Sequence, residues 1–286
     1  MTPGYNALRN GAGWLDLRSR GRIVARGRDR ARFLHNVTSN EVKKMIPGDV
    51  CYAFLLTPQG RIQADLWILC RQDDFLIDTE PELREKVRTH ILKYKVADQI
   101  ELEDVTESTA AIGVEGPAAE AIALESRAPI TLTGQPGFRI YCAAGEFEDT
   151  VRRLEAAGAV AASDDDARVV RIENGKPRYG EDIRETSLVQ ETQQMHAVSF
   201  TKGCYLGQEI VERVRAMGHV NKKLVRLGIE GAEALPAGTK VSDTGEITSS
   251  IFSPAAGKVV ALAYVRTPQS ESGTVLDAGG RAAIVV

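Results

Sequence analysis

The residues best equipped for chemistry lie in one octapeptide of the 286-residue chain, Lys202-Gly203-Cys204-Tyr205-Leu206-Gly207-Gln208-Glu209. Ile210, Val211, Val214 and Met217 follow at helical spacing and predict a helix over 208–217. Cys204 then stands on a tight glycine-bracketed loop just ahead of a helix N-terminus. The free N–H groups of that terminus and a nearby Lys202 ammonium both favour thiolate over thiol. The thiol pKa is expected below the ~8.5 of an unperturbed cysteine. The other reading of any free cysteine is a small buried hydrophobe. It suits Cys51, Cys70 and Cys142, which sit in apolar strand-like runs. The four cysteines form no CxxC pair, so neither a disulfide framework nor a metal site is predicted.

A second segment, Arg171-Ile172-Glu173-Asn174-Gly175-Lys176-Pro177-Arg178-Tyr179-Gly180, places a carboxylate between strand-like residues and a turn. By type and place alone Glu173 reads as a solvated charge. Arg213, Arg215, Lys222 and Lys223 read as solvated surface.

The elements that must hold these segments are short and mixed. Arg22–Arg26 reads as a strand, and Asp29 as the cap of a helix bearing Phe33, Leu34 and Val37. Cys51–Leu56 and Arg61–Cys70 form a hairpin around the turn Thr57-Pro58-Gln59-Gly60. Pro81 opens a helix carrying Leu83, Val87 and Ile91. Strands are expected at Gln99–Val105, Ala110–Glu115 and Phe138–Cys142, and an amphipathic helix at Glu146–Ala157, ended by Gly158. Beyond residue 220 helical periodicity gives way to short strands separated by Gly, Pro, Asp and Ser. The fold class is therefore α+β: a body over residues 1–220 and a small antiparallel β-barrel over 221–286.

Composition narrows the function. An apolar fraction of 43% and a charged fraction of 26% are those of a globular chain, and the net charge of −3 offers no general attraction to nucleic acid or anionic membrane. No apolar run approaches the ~20 residues of a membrane span, and the N-terminus has no signal-peptide pattern, so a cytoplasmic location is expected.

The octapeptide, preceded by Val198-Ser199-Phe200, resembles the signature of YgfZ-type folate-binding proteins of the glycine-cleavage T-protein family. The likeness extends over nearly the whole chain. It includes Trp14-Leu15-Asp16-Leu17, Phe33-Leu34-His35-Asn36, Leu56-Thr57-Pro58-Gln59-Gly60-Arg61 with Asp65, and Ile247-Thr248-Ser249. The resemblance implies a tetrahydrofolate pocket lined by the 171–180 segment. Glu173 would grip the donor pair of the pterin, with Tyr179 nearby and Lys202 facing the anionic folate tail. It implies Cys204 as the working thiol, assisted by Lys202. It also implies partners among iron–sulfur enzymes or their assembly factors, in support of cluster-dependent tRNA modification, without direct nucleic-acid binding. A tetrahydrofolate-dependent aminomethyltransferase of glycine cleavage is the alternative, and a scaffold without a working pocket is a third reading. The aminomethyltransferase places its catalytic aspartate after an Asn-Ala pair. Here the matching strand Phe75-Leu76-Ile77 runs into Asp78-Thr79-Glu80-Pro81-Glu82, with no such pair and only Glu80 or Glu82 as substitutes.

Overall fold

The computed structural model describes residues 1–124 and 127–286. The chain opens with α1 (Pro3–Asn10), β1 (Gly13–Asp16), β2 (Gly21–Arg26) and α2 (Arg30–Val37). Next come β3 (Val50–Leu56), β4 (Ile62–Cys70), β5 (Phe75–Thr79), α3 (Arg84–Lys93), β6 (Glu101–Asp104) and β7 (Thr109–Glu115). The body continues through β8 (Arg127–Ala128), β9 (Gly137–Ala143), α4 (Phe147–Ala156), β10 (Val160–Ala162), α5 (Asp164–Glu173) and α6 (Gln208–Met217). The last strands are β11 (Lys222–Ile229), β12 (Lys240–Val241), β13 (Gly245–Ser253), β14 (Lys258–Arg266), β15 (Val275–Ala278) and β16 (Arg281–Val285).

These strands form two five-stranded sheets and a closed barrel. The first sheet has the order β10-β1-β7-β9-β8, the second β3-β4-β5-β2-β6, and the barrel β11-β14-β13-β12-β15-β16. Of the strand pairs among the described residues, β1–β10 is parallel and the others are antiparallel, with one isolated parallel bridge between Tyr179 and Ile183. The class is the α+β one expected.

The expected hairpin is present as β3 and β4, with Tyr52 opposite Trp67 and Phe54 opposite Asp65. Gly60 closes its turn at φ 71°. A Cβ there would stand 2.8 Å from Ile210 Cβ, so the turn needs glycine both for its φ and for the close approach of α6. Phe54, Leu55, Ile68 and Ile77 of the second sheet pack with Val87 and Ile91 of α3. Phe147, Val151 and Leu154 of α4 cover Ile112 and Ile140 of the first sheet. Each such side chain withdrawn from water contributes roughly 1.5–3 kcal/mol.

Arg171–Glu173 depart from the strand reading: they form the last turn of α5. Ser163 caps this helix by accepting from Asp166 N at 3.1 Å, and Asp164, Asp165 and Asp166 complement the positive end of its dipole. Those start signals carry the helix through Val169-Val170, a β-branched pair with low helix propensity, to Glu173.

Ile172 of α5 packs on the outer face of the barrel with Leu224, Ile251, Val260, Leu262 and Tyr264. Beside it the fully buried Asp182 accepts from Thr248 Oγ1 and Ser249 Oγ, each at 2.6 Å, and from Arg171 Nη1 at 2.6 Å. Barrel and body are thus joined by both apolar and polar contacts. No helix of the described residues is long and apolar enough to cross a membrane.

Candidate functional site

A cavity of about 320 Å³ opens where the two sheets, α5 and the segment after α5 converge. That is within the range of small-ligand sites. Its residues come from distant parts of the chain. Asp65 and Trp67, two apart on β4, share one face of the strand. Tyr52 stands opposite on β3, Arg139 comes from β9, Arg20 precedes β2, and Glu80 follows β5. Lys176 and Arg178 follow α5, and His196 stacks on the Tyr52 ring at 5.3 Å.

Two carboxylates of this cavity are driven apart. Asp65 is buried, and burial together with the nearby Glu80 charge raises its pKa to about 6. Tyr52 OH, donating to Oδ2 at 2.7 Å, and the Arg20 charge oppose this without overcoming it. Oδ1 of Asp65 has no hydrogen-bond partner among the described residues. Glu80 is held low: burial opposes its charge, but Arg20 at 2.5 Å and Arg178 at 2.9 Å outweigh burial. Burial brings Lys176 down to about 8, and burial followed by the Lys176 charge lowers His196. Side-by-side groups with diverging pKa values mark sites able to hold or move a proton. Arg20, Glu80, Leu132, Arg171 and Arg178 also face a second cavity of about 450 Å³, so they form a partition between the two.

The sequence-predicted residues lie elsewhere. Glu173 does not line the cavity. It accepts from Tyr5 OH at 2.9 Å and Ser253 Oγ at 2.5 Å, with Arg9 Nε at 3.6 Å, and so joins α1, α5 and the barrel. Its position in the last turn of α5 turns it away from the sheets. Tyr179 is buried in the core of the second sheet, its hydroxyl 3.4 Å from Lys86 Nζ. Lys202 also faces away from the cavity. It is buried and donates to the carbonyl oxygens of His35, Thr38 (2.8 Å) and Asn40 (2.7 Å). Burial lowers its pKa to about 8. Lys202 therefore fastens the motif loop to the end of α2, helped by Leu206 N→Asn36 O at 3.2 Å and Ser199 N→Ser39 O at 3.0 Å.

Cys204 is the exposed cysteine of the four, and α6 begins at Gln208 as the spacing predicted. Burial pushes the Cys51 thiol up to about 12 and raises those of Cys70 and Cys142. Cys204 does not line the cavity, so the structure separates the motif thiol from the Asp65 site.

Sequence reasoning missed Tyr52, Trp67, Arg139, Lys176 and His196 as a group. One signal was available: Asp65 and Arg139 are charged residues inside otherwise apolar strands, where a charge needs a purpose or a partner.

Two family models match the chain. The N-terminal domain of the glycine-cleavage T-protein matches residues 3–128, and the T-protein C-terminal barrel domain matches residues 222–284. An aminomethyltransferase of Rubrobacter xylanophilus is 28% identical, over 94% of this chain and 80% of the relative. Another from Geobacillus thermodenitrificans is 28% identical over 96% of this chain and 84% of the relative. The crystal structure of glycine cleavage system aminomethyltransferase T from Bartonella henselae superposes with a TM-score of 0.89, covering 99% of this chain and 87% of that one. At 18% identity that likeness establishes the fold. With both of its domains present, in order, the chain belongs to the glycine-cleavage T-protein family.

Proposed function

We propose that this protein is a tetrahydrofolate-dependent transferase of the aminomethyltransferase type, with the pterin held in the 320 Å³ cavity by Asp65. The carrying observation is the Asp65 carboxylate: buried, positioned by Tyr52, and with Oδ1 unpartnered. A pterin presents a 2-amino group and an adjacent ring N–H. That donor pair suits a carboxylate with unused acceptor capacity. The Tyr52 and Trp67 rings, 4.9 Å apart, give the same wall an aromatic surface. Bound tetrahydrofolate supplies the amine nitrogens that carry a one-carbon unit. The chain's own residues bind and orient it and exclude water. Asp65 is ionised above about pH 6 and then accepts the pterin donors, and Glu80, kept ionised by Arg20 and Arg178, balances the positive charge around it. The family membership and the relatives' names support this reading above the accessory role. Calorimetry with tetrahydrofolate on wild type and Asp65→Asn tests it: unchanged affinity removes Asp65 from the site.

A second reading, a folate-binding accessory factor for iron–sulfur proteins, is favoured by the exposed Cys204 on its firmly held loop. Iron–sulfur enzyme activities in cells lacking the protein, rescued by wild type or by Cys204→Ser, test the accessory role. Equal rescue excludes a thiol function.

A further inference from the structure

Two lysines of this chain are drawn below the ordinary lysine range, Lys176 and Lys202, yet they are held very differently. Lys202 commits all three of its N–H groups, to the carbonyls of His35, Thr38 and Asn40. Lys176 commits one, to the Thr131 carbonyl, and makes no other hydrogen bond and no ion pair among the described residues. It lines the cavity, with Nζ 5.7 Å from the centre of the Trp67 ring. Among the described residues it is the one lysine that does so. Glu115, the carboxylate whose charge bears most on it, already accepts from the main-chain N–H of Leu132 and Thr133 and from the Thr133 hydroxyl. The cavity therefore holds an amine that no protein carboxylate pairs with and no full set of acceptors ties down.

Its surroundings favour the free amine. Burial does most, the Glu115 charge opposes it, the Arg139 and Arg20 charges assist it, and Asp65 opposes it, with the balance at about 8. His196 also feels the Lys176 charge. A desolvated lysine beside other cations is the form in which an amine attacks a carbonyl carbon. We propose that Lys176 is a covalent acceptor for small aldehydes, capturing a one-carbon unit at the oxidation level of formaldehyde as a methylene imine on Nζ. The amine adds to the carbonyl carbon and forms a new C–N bond. The carbonyl oxygen then leaves as water with the two hydrogens that the amine gives up, so no oxidant or reductant is needed. The carbon has two sources, free formaldehyde or the unit carried by bound folate. In the second case the carbon leaves the folate nitrogens, which take up the same two hydrogens. That source rests on the folate reading, and the lysine chemistry does not.

Reductive trapping on the folded, full-length chain tests this. Limiting formaldehyde is added with cyanoborohydride, which fixes an imine as N-methyl-lysine, and the marked lysines are read by peptide mass spectrometry. At pH 7 an ordinary lysine is free amine in about one part in a few thousand, and a lysine at about 8 in roughly one part in ten. The less basic amine is also the weaker nucleophile, so Lys176 should be marked about tenfold faster than the exposed Lys44. Its rate should rise with pH and level off above about 8. A second arm replaces formaldehyde with 5,10-methylenetetrahydrofolate in the presence of dimedone, which removes free formaldehyde. Marking of Lys176 in both arms makes folate the carrier. Marking by formaldehyde alone leaves the reactive lysine standing with free aldehyde as its source, and counts against the folate reading. Marking of Lys176 no faster than Lys44 with formaldehyde, or a rate that climbs past pH 9 without levelling, overturns the proposal.

Discussion

In the loop over 199–206, Lys202 gives its ammonium to three main-chain carbonyls, whereas in the cavity wall Asp65 keeps one carboxylate oxygen unused. Both groups are buried and both are shifted toward neutrality, Lys202 to about 8 and Asp65 to about 6. The difference is what faces them. Lys202 meets fixed protein acceptors and serves the fold. Asp65 meets open space, with capacity left for a ligand. A perturbed charge therefore marks function only when its hydrogen-bonding capacity is incompletely used.

Lys202→Met should give the largest effect, on stability. It leaves three carbonyl oxygens without their donor, at roughly 1–3 kcal/mol each where water cannot replace it, so a loss of about 3 kcal/mol or more is expected. For a chain of this size Tm should fall by roughly 6–12 °C in thermal unfolding. Tetrahydrofolate affinity measured well below that Tm should hold. A stable variant with weakened folate would instead return Lys202 to the site.

Asp65→Asn should weaken tetrahydrofolate about ten- to a hundredfold by calorimetry, the usual effect of losing a charge-assisted bond. The same residue sets a pH dependence. Its pKa is raised in the folded, unliganded state, so the carboxylate that accepts the pterin donors is lost as pH falls through about 6. Affinity should then weaken up to about tenfold per pH unit below that point and level off above it. An affinity independent of pH from 5 to 7 would contradict the comparison.

Glu173→Gln should have less effect on folate, a change of at most about twofold, because its contacts are Tyr5, Ser253 and Arg9. A tenfold loss would show that the cavity extends to α1. The smallest effect belongs to Cys204→Ala: at an exposed position stability should stay within about 0.5 kcal/mol. Limiting iodoacetamide should nevertheless label Cys204 ahead of Cys51, Cys70 and Cys142 in peptide mass spectrometry, since burial raises the pKa of those three.

The hairpin, α4, α6 and the change to a barrel were legible because each follows from local rules of turn residues, apolar periodicity and glycine stops. Helix α6 begins and ends at the residues its spacing predicted. The end of α5 reads as strand-like when the segment is taken from Arg171 on, because the serine that caps the helix, Ser163, lies outside that segment. The cavity was the least legible part. Arg20, Tyr52, Asp65, Glu80, Arg139 and Lys176 are far apart in the chain, and only sheet register and packing bring them together. The motif with the clearest signature lies outside that cavity. Its lysine reads as a ligand partner until the carbonyls at the end of α2 are seen around it.

The Asp182 clasp has a mechanical consequence. Separating barrel from body would strip Thr248 and Ser249 of their shared acceptor Asp182 and expose the apolar seam around Ile172, so the two cannot part cheaply. The barrel is no swinging door. A ligand then enters the cavity, which His196 and Gln194 help to line, with the mass distribution of the particle unchanged. Small-angle scattering curves of the free and folate-saturated protein should superimpose, and the barrel amides should exchange with solvent only as fast as the body itself unfolds.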